Sequence, residues 1–374
     1  MKIAFLGPAY PFRGGIAQFL HNMADHLAKN NEIEVFNFKN QYPKFLFPGK
    51  NQFDLTEKKQ FKYKIHRVLT PYNPFTWKQT AEKIINYNPD IIIIKFWIPF
   101  FSLAYLYIMK YLRLNSEIRI CLLCHNLEFH EKWFMLTKLT KYLIDNSHKV
   151  IVLSQTVADS TKNFINFNQD KLIELFHPLY EIDTNTLDKQ KALQDLNLKD
   201  IPTVLFFGYI KHYKGLDVFL QAIPKVSKKI KDIQFVVAGE IYGKDTQYQK
   251  IIKNFTQDIN FVFNNKYIPS SDIDKYFISA DLVVIPYRTA TQSGIVQLAY
   301  SYNKPVIVSN INGLKDMIIE GKTGLSFENE NSDDLAKIIL DFFNKKQNFV
   351  SYIKDNNKKY SWQAFTEKLV ENIL

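Results

Sequence analysis

Residues 203–217 read TVLFFGYIKHYKGLD. The apolar run Thr203–Phe207 stops at Gly208, crosses a short loop carrying Lys211 and Lys214, and passes Gly215 into an apolar-periodic segment from Leu216. This is the pattern of a buried strand handing over to a helix. Two lysines fixed in such a loop would hold a diphosphate and offset the charge it gains when a bond to it breaks. A solvated loop with surface lysines is the plainer reading, and the strand–loop–Lys-Gly–helix setting weighs against it.

Outward from this stretch the alternation continues. Downstream come strands Gln234–Ala238, Asn260–Phe263, Leu282–Ile285 and Val306–Ser309. Helices are expected from Leu216, around Tyr248, over Asp272–Ser279 and over Gly294–Tyr302. Upstream, Lys2–Leu6, Glu32–Asn37, Ile91–Phe96, Ile118–Leu123 and Lys149–Leu153 read as strands with helices between them, the first helix spanning Gly14–Asn30. Ile91–Phe96 is a continuous apolar run of the kind buried on both faces. Two βαβ series imply two parallel sheets covered by helices. They meet near residue 180, at His177-Pro178 and the polar stretch Glu181–Asp200. The expected organisation is α/β: a doubly wound, Rossmann-like domain over 1–180, a second over 181–355, and a helix over 356–374 returning to the first. A ligand is expected at the carboxyl ends of the strands, in a cleft between the domains.

The 374 residues suit about two domains, and 46% apolar content is ample for their cores. The opening MKIAFLGPAYPF breaks at Gly7-Pro8, so a signal peptide is not expected. The most apolar window, Phe96–Leu114, has only fourteen uncharged residues between Lys95 and Lys110. A bilayer needs ~20. A buried strand followed by a helix is the reading, with contact to a membrane surface left open. Cys121 and Cys124 share a strand on opposite faces or at its end, so a disulfide is not expected, and two cysteines suit a reducing compartment.

The net charge of +11 is uneven: residues 1–180 carry 23 Lys/Arg against 14 Asp/Glu, and residues 181–374 carry 25 against 23. Between Lys44 and Arg67 seven basic residues face two acidic ones, with Tyr42, Phe45, Phe47 and Phe53 interleaved. A solvated loop and helix face is one reading. A surface for anionic headgroups or a lipid-linked phosphate is the other. No groove-reading motif accompanies the charge, so nucleic acid is not an expected partner.

Two more loops carry chemistry. Gly7-Pro8 and Arg13-Gly14-Gly15 follow the first strand and open a helix whose free amides favour an anion, a tight turn alone being the other reading. It is not GxGxxG, and no acidic residue ends the second strand, which disfavours a nicotinamide cofactor. Pro286–Gly294, PYRTATQSG, follows the strand Leu282–Ile285, with Thr291 or Ser293 placed to cap the next helix. It occupies the same end of one sheet as the Lys211–Lys214 loop.

With these loops in place the chain resembles the glycosyltransferase family 4 type of GT-B enzyme. The resemblance rests on FFGYIKHYKGLD (206–217), VVAGE (236–240), KYIP (266–269), ADLVVIPYRTATQSG (280–294), KPVIVSNINGLKDMI (304–318) and GKTGLSFE (321–328). GPAYPFRGGIAQ, CHNLEFHE and the final SWQAF fit more weakly. It implies two Rossmann-like domains facing a central cleft, a nucleotide-sugar donor in the C-terminal domain and an acceptor on the N-terminal one. It further implies transfer with retention at the anomeric carbon, with no cofactor and no obligatory metal.

The resemblance also assigns residues. Lys214 matches the lysine that binds the donor diphosphate, and His125 the histidine facing donor sugar and acceptor. Backbone at Gly14, Gly15, Gly208, Ser293, Gly294 and Ile295 would meet phosphates or sugar. Tyr267 and Ile268 fall at the base, with Glu240 beside them. Family members usually carry arginine where Tyr209 stands, and Lys211 would supply the charge instead. The family's two glutamates are replaced by Ala290 and Leu298, leaving Gln292 or Gln297 to hydrogen-bond sugar or ribose.

His125 and His130, five apart on a loop, make a poor metal set. Acceptor binding suits His130-Glu131 better, with a plain solvated pair the other reading, and a hinge rather than catalysis suits His177 at the domain junction. The expected setting is surface-polysaccharide, lipopolysaccharide or lipid-linked oligosaccharide synthesis, cytoplasmic and peripheral on the inner face of the membrane. The acceptor would then be a saccharide or a lipid-linked one. A nucleotide-sugar epimerase and a non-catalytic nucleotide-sugar-binding protein are the alternatives.

Overall fold

The structure is a computed structural model that describes residues 1–43, 52–53, 60–125, 134–162, 168–182, 188–242, 246–345 and 348–373. The chain forms two compact units: Met1–His177 with Trp362–Leu374, and Pro178–Ser361. These limits lie a few residues from the sequence boundaries at 180/181 and 355/356. Residues 178–180 and 356–361 go with the second unit, where the Leu179 amide donates to the Tyr360 carbonyl (2.9 Å) and the Tyr180 amide to Ser301 Oγ (2.8 Å).

Unit 1 runs β1 (Lys2–Leu6), α1 (Gly15–Leu27), β2 (Glu32–Phe38), β3 (Lys64–Leu69), α2 (Phe75–Tyr87), β4 (Ile91–Phe96), α3 (Ser102–Asn115), β5 (Arg119–Cys124), α4 (Phe134–Asn146), β6 (Lys149–Val152), α5 (Gln155–Lys162) and β7 (Leu172–Glu174). Its sheet is parallel throughout in the order β3-β2-β1-β4-β5-β6-β7. Alternate strand residues feed two cores. Ala4, Leu6, Ile92, Ile94 and Leu122 pack under α2–α5. Ile3, Phe5, Ile91, Ile93 and Leu123 pack under α1 and under α14 (Trp362–Ile373). Each leucine, isoleucine or phenylalanine among them contributes roughly 1.5–3 kcal/mol by leaving water. Trp362, 2% exposed, fixes α14 with its ring 5.1 Å from Phe19.

Cys121 and Cys124 are free and buried in opposite cores. The basic stretch before Arg67 differs from the loop-and-helix reading, because Lys64–Leu69 is the edge strand β3, paired with β2. Only one neighbour covers an edge strand, so Lys64 and Arg67 stay exposed within it. Residues 44–51 and 54–59 of that stretch, and Asn126, His130 and Glu131, lie outside the described residues.

Unit 2 runs α6 (Lys189–Asp195), β8 (Thr203–Phe207), α7 (Leu216–Ser227), β9 (Gln234–Ala238), α8 (Thr246–Ile252), β10 (Asn260–Asn264), α9 (Ser270–Ser279), β11 (Leu282–Ile285), α10 (Gly294–Ser301), β12 (Val306–Ser309), α11 (Asn312–Lys315), β13 (Gly324–Phe327), α12 (Ser332–Asn344) and α13 (Phe349–Asn357). Its sheet is also parallel, ordered β10-β9-β8-β11-β12-β13. In each unit the strand order reverses once, between β1 and β4 and between β8 and β11. A doubly wound sheet binds its ligand outside the carboxyl ends of the strands at such a reversal.

Candidate functional site

In unit 2 the loops leaving β8 and β11 flank the reversal, and they are the two lysine- and serine-bearing loops. Gly215 closes the first of them with φ +67, and a Cβ there would stand 1.9 Å from the Pro286 carbonyl oxygen. Only glycine allows the approach. The Arg288 amide then donates to the Tyr213 carbonyl at 2.7 Å. The Arg288 guanidinium grips Asp217 at the start of α7, reaches Glu330 at 2.8 Å and donates to the His212 carbonyl at 2.7 Å. Sequence reading assigned Arg288 no role, since a pair separated by 71 positions has no local signature.

Lys214 Nζ donates to the Tyr287 hydroxyl at 2.6 Å and sits 3.8 Å from that ring's centroid. Tyr287 is buried and hydrogen-bonded to Ser293, and burial pushes its hydroxyl's pKa up. Ser293 caps α10, its Oγ accepting from the Ile295 amide at 3.2 Å. A continuous chain thus joins the lysine to the helix N-terminus. Burial holds the Lys214 ammonium below its ordinary pKa, partly offset by Tyr213. Lys211 is exposed, 5.5 Å from the Tyr242 ring, and is lowered by partial desolvation and then by the Lys214 charge. His212 is exposed in the same loop.

Gly208 takes φ +107, which turns the chain at the end of β8. Beside it Tyr209 stacks on Tyr242 (4.9 Å, 22°) and, more loosely, on Tyr267 (6.2 Å, 22°). Ile268 is buried next to Tyr267. Glu240 is buried at the end of β9, with its carbonyl accepting from the Ile210 amide. Tyr242, which sequence reading passed over, completes this aromatic face. Ala290 and Leu298 stand at the missing glutamate positions: Leu298 is buried in the core, and the Ala290 carbonyl packs against Gly313. Gln292 is half-buried in the loop, Gln297 is buried on α10, and Gly294 begins that helix.

Unit 1 has its own cluster at the β1/β4 reversal. Gly14, with φ +105, is the N-cap of α1, and Gly15 is its first residue. Lys95, fully buried within the run IIIIKF of β4, donates to the Ile16 carbonyl at 2.6 Å and lies 4.3 Å from the Phe19 centroid. A lone charge inside a run buried on both faces was the signal that could have revealed it. His125 follows β5, its amide donating to the Phe96 carbonyl (2.9 Å) and its ring set edge-on to Phe19 (5.1 Å). Burial, then the charges of Lys95 and His177, hold His125 well below its ordinary pKa. His177, where the first segment of this unit ends, also meets Phe19 edge-on at 5.0 Å.

Two doubly wound parallel domains, with anion-suited groups at the reversal of one, define a GT-B-type α/β enzyme. The chain belongs to the family 4, group 1 glycosyltransferases: the model described as Glycosyltransferase Family 4 matches residues 13–174, and that of Glycosyl transferases group 1 matches 201–345. It is therefore a glycosyltransferase. Among curated relatives it is 24% identical to an uncharacterized glycosyltransferase of Methanocaldococcus jannaschii, covering 99% of this chain and 97% of the relative. It is 28% identical to a glycogen synthase of Thermodesulfovibrio yellowstonii over 50% of this chain and 39% of that one. Among solved structures, the fold matches a sucrose-phosphate synthase from Thermosynechococcus elongatus (TM-score 0.75, 16% identity, 99% and 98% covered). It also matches Anabaena HepE in complex with UDP and glucose (TM-score 0.71, 15% identity, 100% and 99% covered).

Proposed function

We propose that the chain transfers a sugar from a nucleoside-diphosphate sugar held by unit 2 to a saccharide or lipid-linked acceptor served by unit 1, with retention at the anomeric carbon. The observation that carries this reading is the Lys214–Tyr287–Ser293 chain ending on the N-terminus of α10. A cation and free helix amides at one sheet reversal suit a diphosphate. The acceptor hydroxyl attacks the anomeric carbon on the face from which the diphosphate departs, the glycosyl–phosphate bond breaks, its electron pair leaves with the diphosphate, and the hydroxyl's proton passes to that departing diphosphate. Lys214, Lys211 and the amides near Gly294 and Ile295 neutralise that charge, so no obligatory metal is invoked. Tyr209, Tyr242 and Tyr267 offer flat faces to a base. His125 is assigned to the sugar and acceptor, and Gly14 and Gly15 to a phosphate or sugar oxygen.

HepE in complex with UDP and glucose supports a nucleotide-sugar donor. The basic first half fits an acceptor carrying phosphate on a lipid, and with it surface-polysaccharide, lipopolysaccharide or lipid-linked oligosaccharide assembly at the inner face of the membrane. Among the described residues no helix is long and apolar enough to cross a membrane. The test is turnover with a panel of nucleotide sugars. Lys214→Ala should lower kcat/KM by roughly 10²-fold, the scale of a lost charge-stabilising contact, with unfolding unchanged. Undiminished turnover would remove the role.

A further inference from the structure

Seven of the ten large apolar side chains left exposed in the described residues are Tyr72, Phe75, Phe100, Leu103, Tyr107, Leu114 and Tyr142, so exposed apolar surface gathers on one helix layer of unit 1. That layer is α2, α3 and α4, with α3 packed between the other two. The inward face of α3 (Ala104, Ile108, Met109, Leu112) is buried on the sheet. Its outward stripe is Leu103, Tyr107, Lys110 and Leu114, at helical spacing i, i+4, i+7 and i+11, and three of the four are apolar. Leu103 is 58% exposed, Tyr107 40% and Leu114 73%, while Phe75 at the start of α2 is 90% exposed. Rings carry the surface across the helices: Trp77 meets Tyr107 at 5.8 Å, and Tyr42 meets Phe100 at 5.7 Å.

The charge on this face is positive. Lys78, Lys83, Lys110, Arg113 and Lys138 are exposed on it. Among the described residues of α2, α3 and α4 the acids are Glu82 and Asp145, each with a lysine partner, Lys78 at 3.6 Å and Lys141 at 3.1 Å. We propose that the outer face of α2–α3–α4 docks on an anionic lipid bilayer, with the leucines and aromatic rings entering the headgroup boundary and the lysines and Arg113 meeting lipid phosphates. Tyrosine and tryptophan suit that boundary because one end is apolar and the other wet. Lysine stems lie along apolar surface while their heads reach outward. A second copy fits worse, since a two-fold interface sets the same patch against itself and would oppose these cations to one another. None of these residues belongs to the 44–67 stretch of the sequence or to the site in unit 2, and the inference does not depend on the transfer chemistry.

The test is co-sedimentation of the full chain with vesicles of phosphatidylcholine containing phosphatidylglycerol, and with phosphatidylcholine alone. The wild type should partition onto the anionic vesicles and weakly onto the neutral ones. Leu103→Ser with Leu114→Ser, and separately Lys110→Glu with Arg113→Glu, should each lower that partition by roughly tenfold or more. Circular dichroism and turnover of a water-soluble acceptor should stay unchanged. Equal binding by both variants, or a wild type that ignores anionic vesicles, overturns the proposal. So does a wild-type dimer in light scattering that the serine variant dissociates.

Discussion

The Arg288 guanidinium contacts both carboxylate oxygens of Asp217, at 3.0 and 2.7 Å, and so joins the loop leaving β11 to the first turn of α7. The two loops that flank the strand reversal of unit 2 are therefore tied to each other. Both partners are largely shielded, their side chains 15% and 22% exposed.

Removing one partner should be felt in stability and in donor binding together. Arg288→Ala leaves the Asp217 carboxylate and the His212 carbonyl without their donor and should cost about 2 kcal/mol. Asp217→Asn keeps one prong and should cost less. Urea unfolding of both variants checks the order, and a weaker donor KM effect in Asp217→Asn should accompany it.

Gly215 makes a sharper steric prediction. Its φ is +67, and an alanine methyl there would stand 1.9 Å from the Pro286 carbonyl oxygen, so Gly215→Ala must push the lysine loop off the Pro286 backbone. Gly321 has a similar φ of +70 but nothing within 4 Å, so Gly321→Ala isolates the backbone strain. Strain of this kind costs about 1–3 kcal/mol. Gly215→Ala should lose more stability than Gly321→Ala, and it alone should weaken donor binding. Equal losses would contradict the packing argument.

The buried ammonium of Lys95 predicts a pH dependence of stability. Burial holds its folded-state pKa well below the ordinary lysine value, and among the described residues no carboxylate offsets that shift. Between the folded and unfolded values the unfolded chain binds the extra proton, so stability gains from this group as pH rises. Relative to Lys95→Met, the wild type should therefore be less stable at neutral pH than at alkaline pH. Urea midpoints at the two pH values read this directly, and a difference that does not change with pH would contradict it.

Lys214 predicts a pH dependence of activity. Its ammonium must be charged to hold a diphosphate, and burial lowers its pKa. Then kcat/KM should fall on the alkaline side before the ordinary lysine range is reached. Arginine keeps its charge there. Lys214→Arg should flatten the alkaline limb, whatever happens to the plateau. An unchanged limb would assign it to another group.

Central strands were the most legible part of the fold. Leu282–Ile285 and Gln234–Ala238 are buried on both faces, and apolar runs mark them, Gln234 excepted. The edge strands β3, β7 and β13 escaped because each is short or carries polar residues, as in Lys64, Glu174 and Ser326. Lys214 and Ser293 were visible through local context, a lysine before Gly215 and a serine before a helix. The Arg288–Asp217 pair was not, because tertiary folding alone brings it together. Lys95 was masked by the isoleucines around it.

The central claim is that the end of unit 2 bearing Lys214 and the α10 N-terminus binds a nucleoside diphosphate. Calorimetric titration of UDP, GDP, ADP and TDP into the wild type and into Lys214→Met tests it most directly. At least one nucleotide should bind the wild type, and the variant should bind it roughly 10²-fold more weakly, the scale of a lost charge-assisted contact. Equal affinity in the two proteins would contradict the account.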